Sequence, residues 1–310
     1  MSETSPTDRA SSNTASTEPR PITVPIVRER KSGPKLTMVT AYDHPSASIA
    51  SAAGIDIILV GDSVANAVHG FEKTLSVTVD LMVIHTAAVT RAKPHSLVVT
   101  DMPWLSYHVT VEDAVRNAGR LVAEGGAEAV KLEGGSNRVD VINAIVAAEI
   151  PVMGHLGLTP QSVNAMGGYK VQGKAIEDAQ RMIADARALE GAGVFSIVLE
   201  GVPDVLAEAI TEAVDVPTIG IGAGDATDGQ VLVFHDVLGL GGGRYPKFVR
   251  SYADLRVQAI DALQRYAADV QSGAFPSEAE TYHVRDEVAR VLADGGALSD
   301  SSQPSSSPSS

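Results

Sequence analysis

Residues that can act as acids, bases or cation ligands end five apolar runs of the sequence. In the run at 127–135, AEAVKLEGG, Lys131 and Glu133 lie two residues apart, so on a β-strand both side chains would point to the same face. The residues that end the other four runs are Asp62, Ser63, Asp101, His155 and Glu200. One such residue alone is typical of a strand-end ion pair or a helix cap. The repetition of the pattern favours one shared site.

The apolar runs that carry these residues alternate with segments long enough to form helices. This spacing is typical of βα units that feed a parallel sheet. In a (βα)8 barrel the active site is built from groups at the C-terminal ends of the strands. The sequence therefore predicts an α/β fold of the (βα)8 TIM-barrel type, with its site at the mouth.

Hydrophobic periodicity and breaker residues assign the elements of this barrel. A lead-in at 22–31 mixes apolar and basic residues and is expected to form a short helix or an extended segment. The predicted strands are 35–43, 55–60, 96–101, 127–133, 150–155, 194–199, 218–221 and a poorly defined eighth at 245–248. The predicted helices are 46–53, 79–92, 111–124, 139–148, 176–189, 204–214, 230–238 and 255–270.

Length and composition favour a single domain with tails. The 310 residues, 44% of them hydrophobic, can bury one sizeable core. The serine- and proline-rich segments 1–20 and 295–310 lack large apolar residues, and we expect both to be disordered. This leaves 21–294 as the barrel domain. The absence of cysteine excludes disulfides, thiolate metal sites and cysteine nucleophiles.

The charge of the chain restricts its partners and its location. A formal net charge of -14 argues against nucleic acids and anionic membrane surfaces as partners. The sequence shows neither a signal region nor an apolar run of membrane-spanning length, so we expect a cytoplasmic protein. An acidic surface with little lysine is also typical of proteins from high-salt cytoplasms. That hypothesis stands beside the simpler one of an ordinary acidic enzyme.

Three carboxylates at one barrel mouth would require a compensating cation. Asp62, Asp101 and Glu133 offer only oxygen ligands, which favours Mg2+ over Zn2+. The alternative for each aspartate is that it caps the following helix or turn. Lys131 could then hold a substrate carboxylate, and Glu200, at the end of a strongly apolar strand, could accept a proton.

The segment IGIGAG at 219–224 has the glycine content of an anion-binding loop. It lacks the lysine of a P-loop and comes late in the chain, so its spacing is weak evidence for phosphate or dinucleotide binding.

Six motifs, in their order and spacing, resemble the ketopantoate hydroxymethyltransferase family over about 35–283. The motifs are VGDS at 60–63, KLEGG at 131–135, GHLGLTPQS at 154–162, GGYKVQG at 167–173, IGIGAG at 219–224 and DGQVLVFHD at 228–236. The resemblance implies a barrel related to the phosphoenolpyruvate and pyruvate-binding enzymes. It also implies a homo-oligomer, commonly a decamer.

The same resemblance implies a role for each candidate residue, and Glu200 would be the catalytic base. Mg2+ would be bound, in part through water, by Asp62, Asp101 and Glu133. The α-keto acid would contact Asp62, Ser63, Asp101 and Lys131. His155 would lie near the hydroxymethyl group of the product.

The implied reaction makes ketopantoate for the synthesis of pantothenate and coenzyme A. Glu200 would remove the C3 proton of α-ketoisovalerate (3-methyl-2-oxobutanoate), giving an enolate stabilised by Mg2+. The enolate would attack the methylene group of 5,10-methylene-tetrahydrofolate or a related pterin. Two alternatives remain open: a metal-dependent keto-acid lyase or aldolase of the same superfold, and a non-catalytic barrel that binds keto acids.

Overall fold

The computed structural model describes residues 20–243 and 245–293. The chain forms two compact units, one up to Asp254 and the other from Leu255 onward. The tails that were expected to be disordered, 1–20 and 295–310, lie outside the described residues except for Arg20.

Parallel strands close into an eight-stranded barrel in the first unit. Each strand pairs with its neighbours in sequence, and the last pairs with the first. The strands are β1 (Leu36–Thr40), β2 (Ile57–Val60), β3 (Leu97–Asp101), β4 (Ala129–Lys131), β5 (Val152–Gly157), β6 (Ser196–Glu200), β7 (Thr218–Ile221) and β8 (Gly229–Leu232). The predicted (βα)8 barrel is confirmed.

Helices connect the strands of the barrel. They are α1 (Val24–Glu29), α2 (His44–Ala52), α3 (Val64–Ala67), α4 (Val79–Thr90), α5 (Val111–Ala123), α6 (Val139–Ala147), α7 (Val163–Met166), α8 (Ile176–Gly191), α9 (Asp204–Ala213) and α10 (Phe234–Val237). Helices α2, α4 and α5 begin where a side-chain oxygen of Asp43, Thr78 or Thr110 accepts a backbone N–H from the first turn. Each cap satisfies a donor that the helix cannot pair internally.

The strands separate two apolar cores because their side chains alternate between faces. Inside the barrel, Met38 belongs to a buried cluster that also includes Val27 of α1. On the other face, residues such as Val130 pack with buried residues of the surrounding helices. Just before α1, the backbone N–H of Ile22 donates to the carbonyl of His95, ahead of β3. Helix α1 therefore closes the N-terminal end of the barrel.

The last βα unit differs from the prediction. The eighth strand is Gly229–Leu232, not 245–248, and it occupies the start of the helix predicted at 230–238; only the short α10 follows it. A four-residue run is too short to distinguish the strand period from the helix period. Gly229 lies so close to β1 that a Cβ atom there would be 2.7 Å from the carbonyl oxygen of Leu36. The pairing of β8 with β1 closes the barrel, and no local sequence pattern predicts this pairing.

A buried aspartate joins α1, β7 and β8 at the N-terminal end of the barrel. Asp228 Oδ2 lies 3.0 Å from Lys31 Nζ and accepts the backbone N–H of Thr218 at 2.9 Å. Asp228 Oδ1 accepts the backbone N–H of Ser32 at 2.9 Å. Burial alone would raise the pKa of Asp228, but these donors outweigh it and lower the pKa below its ordinary value.

The second unit contains α11 (Leu255–Ser272) and α12 (Asp286–Ala293). Helix α11 confirms the helix predicted at 255–270, and none of its residues is buried. Its exposed apolar residues recur at three- and four-residue spacing: Val257, Ile260, Leu263, Tyr266 and Val270. Among the described helices of both units, none combines the length and apolarity needed to cross a bilayer.

Candidate active site

The predicted site residues line one cavity at the C-terminal ends of the barrel strands. The cavity has a volume of ≈ 1330 Å³. Its lining includes all seven residues that the sequence singled out: Asp62, Ser63, Asp101, Lys131, Glu133, His155 and Glu200. The strands bring these side chains to one mouth because every strand runs in the same direction.

An ion pair between β3 and β4 forms the floor of the cavity. Lys131 Nζ lies 2.8 Å from Asp101 Oδ1, and Asp101 Oδ2 accepts the backbone N–H of Asp62 at 3.0 Å. Burial alone would lower the pKa of Lys131, but the carboxylates of Asp101 and Glu133 outweigh it and raise the pKa above its ordinary value. Lys131 is therefore a fixed positive charge among acidic groups.

The neighbouring carboxylates make ionisation of Asp62 unfavourable. Burial, followed by the charges of Asp101 and Glu133, raises the pKa of Asp62 to about 8. Even with His155 protonated, Lys131 and His155 do not neutralise the ionised carboxylates of Asp62, Asp101, Glu133 and Glu200, so the donor set fits an added cation. In the described part of the chain, no three Asp, Glu, His or Cys side chains are arranged to hold an ion by themselves.

His155 on β5 links the floor to the rim of the cavity. Its Nδ1 atom lies 3.2 Å from Lys131 Nζ and 3.5 Å from Glu133 Oε1, and its Nε2 atom lies 3.4 Å from Glu200 Oε2. Burial and the Lys131 charge lower the pKa of His155, but Glu133 and Glu200 outweigh them and raise it to about 9. An unprotonated Nδ1 accepts from the Lys131 ammonium; a protonated imidazole would instead face the two carboxylates of Glu133 and Glu200.

Strand β4 is shorter than predicted, and Glu133 lies two residues beyond its end. The backbone N–H of Glu133 donates to the hydroxyl of Tyr107 at 3.2 Å instead of to a neighbouring strand. Lys131 and Glu133 nevertheless both approach His155. The side chains therefore share one side of the chain, as the alternation predicts.

Glu200 lies nearer to solvent than the other carboxylates. Its side chain is 17% exposed, compared with 5% for Asp101 and 4% for Glu133. The backbone carbonyl of Glu200 accepts the N–H of Leu158 at 2.7 Å, which ties the end of β6 to the loop after β5. Glu200 is thus a carboxylate on the cavity rim with a fixed backbone.

Sequence reasoning missed three buried polar residues of the site. The hydroxyls of Tyr42 and Ser63 are 2.8 Å apart. Gln161 donates from Nε2 to Asp62 Oδ2 at 2.9 Å, and Tyr107 donates to Gln161 Oε1 at 2.6 Å. Gln161 lies within the motif GHLGLTPQS, which was the only available signal. A glutamine is not an acid, a base or a strong metal ligand, so its residue type did not indicate that Gln161 belongs to the site.

The glycine-rich segment 219–224 has a packing role at this mouth. Gly222 follows β7 with a φ of +63°, and a Cβ atom there would be 2.8 Å from the ring of Phe248. Both residues line the cavity. Close packing and a left-handed backbone thus account for this glycine without a phosphate.

Comparison with known proteins identifies the family. The sequence model of ketopantoate hydroxymethyltransferase matches residues 21–278. The chain belongs to the ketopantoate hydroxymethyltransferase family. The family resemblance and the transferase class predicted from the motifs are confirmed.

Relatives in this family cover most of the chain. The 3-methyl-2-oxobutanoate hydroxymethyltransferase of Syntrophomonas wolfei is 53% identical over 268 residues, 86% of this chain and 97% of that protein. The enzyme of the same name from Geobacter sulfurreducens is 56% identical over 257 residues, 83% of this chain and 96% of that protein. The site described above lies within the shared region.

Solved structures confirm the superfold of this family member. 2,3-Dimethylmalate lyase, a member of the PEP mutase/isocitrate lyase superfamily, has a TM-score of 0.53 at 18% identity and covers 90% of this chain and 100% of its own. Phosphonopyruvate hydrolase in complex with oxalate and Mg2+ has a TM-score of 0.54 at 14% identity, covering 88% and 95%. At these identities the likeness concerns the fold alone.

Proposed function

We propose that this chain transfers a hydroxymethyl group to α-ketoisovalerate (3-methyl-2-oxobutanoate) and forms ketopantoate for pantothenate and coenzyme A synthesis. The proposed metal is Mg2+, and the proposed one-carbon donor is 5,10-methylene-tetrahydrofolate. One observation carries the proposal: three buried carboxylates with a single lysine lie beneath a more exposed Glu200 in one cavity. This combination supplies a place for a cation and a separate base.

The floor of the cavity is the proposed binding site for the metal and the keto acid. Asp62 and Asp101 would bind Mg2+ directly or through water, with Glu133 in the outer shell. When bound, Mg2+ supplies a Lewis acid that withdraws electron density from the keto group and acidifies C3 of the substrate. Lys131 supplies a fixed positive charge for the substrate carboxylate, and the Ser63 hydroxyl supplies a further donor.

The rim is the proposed place of proton transfer. Glu200 would remove the C3 proton, and the substrate carbon would then form a bond to the methylene carbon of the donor. The C–N bonds of that carbon break, water supplies the hydroxyl oxygen, and tetrahydrofolate leaves with the protons. His155 Nε2 lies 3.4 Å from Glu200 Oε2 and has no hydrogen-bond partner among the described residues, so it would be free to donate to the new hydroxymethyl oxygen. The base acts by general acid–base catalysis, which accelerates reactions by roughly 10²- to 10⁴-fold.

The size of the cavity supports a second, larger substrate. Pockets for drug-sized ligands have volumes of roughly 300–1,000 Å³, and this cavity measures ≈ 1330 Å³. A five-carbon keto acid on the floor leaves most of that space free. The walls farther from the floor include Tyr169, Lys170 and Phe248, which offer aromatic and cationic contacts to a carrier with rings and carboxylates.

The exchange of the C3 proton of α-ketoisovalerate in D2O, followed by NMR, tests the proposal. We expect Mg2+-dependent exchange that Glu200→Gln slows by roughly 10²- to 10⁴-fold while the keto acid still binds. Glu72→Gln is the matched control, since Glu72 also lines the cavity but is exposed. Unchanged exchange in Glu200→Gln would rule out the assigned base. Absence of exchange in the wild type, even with the donor added, would rule out the reaction.

A homo-oligomer is proposed on separate grounds. An amphipathic helix buries its apolar stripe in a folded protein, and the α11 side chains of Ile260, Leu263, Tyr266 and Val270 are exposed. A second copy of this chain would cover it. The decameric state, the cytoplasmic location and the high-salt requirement stay predictions. Light scattering measures the mass of the oligomer, and repeating it over a range of salt concentrations tests both the number of copies and the salt requirement.

A further inference from the structure

We infer that Gln161 is the positioning residue that orients two carboxylates, Asp62 and Glu133, to receive the divalent cation. Gln161 lies in the loop after β5 and is 5% exposed. The inference rests on the proposed function, because the cation is the one proposed there.

Gln161 contacts both carboxylates, one through its side chain and one through its backbone. Its Nε2 atom donates to Asp62 Oδ2 at 2.9 Å and to the carbonyl of Met102 at 3.0 Å. Its backbone N–H donates to Glu133 Oε2 at 3.0 Å. One residue therefore fixes two carboxylates that follow different strands, Asp62 after β2 and Glu133 after β4.

Tyr107 determines which way the amide of Gln161 points. Its hydroxyl accepts the backbone N–H of Glu133 at 3.2 Å, so its own proton is free to donate to Gln161 Oε1 at 2.6 Å. A flipped amide would place Oε1 against the Met102 carbonyl and the Asp62 carboxylate, with acceptor facing acceptor. The chain of hydrogen bonds thus has one consistent direction.

This direction has a consequence for metal binding. Asp62 Oδ2 is occupied as an acceptor, which leaves Oδ1 of the same carboxylate for a cation. Glu133 accepts the Gln161 N–H at Oε2, and its Oε1 atom lies 3.5 Å from His155 Nδ1. Hydrogen-bond partners that orient ligands in this way affect metal affinity by about 10–100-fold.

The loop that carries Gln161 also contributes to the cavity wall. Tyr169 and Lys170 follow in the same connection between β5 and α8 and line the cavity. The hydrogen bonds of Gln161 therefore anchor the start of this loop to the proposed metal carboxylates. Metal affinity and the position of the loop become coupled through one side chain.

Binding of Mn2+ to the full-length protein, followed by EPR at saturating α-ketoisovalerate, tests the inference. Gln161→Met keeps the length of the side chain and the backbone N–H but removes the amide. We expect its Kd for Mn2+ to rise by about 10–100-fold, with C3 exchange restored at high metal concentration. The control is Asn164→Ala, since Asn164 is exposed in α7 of the same β5–α8 connection and accepts from Lys73 Nζ at 2.9 Å. Its Kd should equal that of the wild type.

The outcomes separate the inference from the proposed function. Absence of Mn2+ binding in the wild type overturns the proposed metal site itself. A wild-type protein that binds, with a folded Gln161→Met of equal Kd and lower thermal midpoint, overturns the inference and leaves Gln161 a structural role. If Gln161→Met does not fold, Tyr107→Phe decides. Tyr107→Phe removes the hydrogen bond that orients the amide of Gln161, and it should raise the Kd for Mn2+ by less than the roughly 10–100-fold expected of Gln161→Met. An unchanged Kd for Mn2+ in Tyr107→Phe overturns the inference.

Discussion

Two buried aspartates at opposite ends of the barrel have opposite electrostatic surroundings. At the N-terminal end, Asp228 faces the ammonium of Lys31 and the backbone N–H groups of Ser32 and Thr218, and its pKa is lowered. At the mouth, Asp62 is buried beside two further carboxylates, and its pKa is raised to about 8. The same type of side chain therefore stabilises the fold at the N-terminal end, as Asp228, and destabilises it at the mouth, as Asp62.

The opposite pKa shifts of Asp228 and Asp62 distinguish a charge that stabilises the fold from a charge placed at the candidate site. A carboxylate whose pKa is lowered by folding stabilises the native state above its ordinary pKa. A carboxylate whose pKa is raised by its neighbours costs stability near neutral pH, and such groups concentrate at functional sites. The proposed cation would supply the positive charge that the acidic mouth lacks and would offset this cost.

The largest expected effect on stability follows from Asp228→Asn. It removes the only carboxylate that pairs with Lys31 among the described residues and leaves its ammonium the carbonyl of Thr211. The Lys31 side chain is only 19% exposed. We expect the free energy of unfolding at pH 7 to fall by about 3 kcal/mol, the lower end for a broken buried pair. Urea denaturation measures it. The exposed carboxylate variant Asp215→Asn is the control and should match the wild type.

The same variant carries a pH prediction. The stability that Asp228 contributes is fully present above its ordinary pKa of 3.8 and is lost as the pH falls through its lowered native value. The difference in the free energy of unfolding between wild type and Asp228→Asn should therefore become smaller as the pH is lowered through the acid range. A difference that does not change with pH would mean that Asp228 stabilises the fold through packing and not through its charge.

The next largest effect is stabilisation by Mg2+. A ligand that binds only the native state stabilises it by about 2.7 kcal/mol at a hundredfold excess over Kd. We expect wild type and Asp228→Asn to gain this amount equally, and Asp62→Asn to gain much less. Thermal unfolding with and without Mg2+ measures the gain. Equal gains in all three proteins would place the cation elsewhere than at Asp62.

The smallest effect concerns Asp62→Asn without metal. The amide removes one of three crowded carboxylates, and its carbonyl can still accept from Gln161 Nε2. Relief of such a site commonly stabilises a fold by about 0.5–2 kcal/mol. Denaturation in EDTA should show a variant more stable than the wild type. A less stable variant would contradict the contrast between the two ends of the barrel.

The sequence predicted the barrel and the residues of its mouth because both depend on local patterns. Apolar runs ending in Asp62, Lys131 or Glu200 are visible without a structure. Strand β8 was misplaced because its pairing with β1 joins residues far apart in the chain. Gln161 and Asp228 were missed for a related reason. Their partners come from distant segments, and neither residue type is distinctive in its local context.

Closure of the lower end by α1 affects the order of events during turnover. With Val27 packed inside the barrel, the described cavity opens only above its acidic floor. In the proposed reaction, a small keto acid bound on that floor would have to enter before a large carrier covers it, and the product would leave after the spent carrier. We therefore predict a sequential, ordered kinetic scheme in which excess carrier inhibits when it binds first.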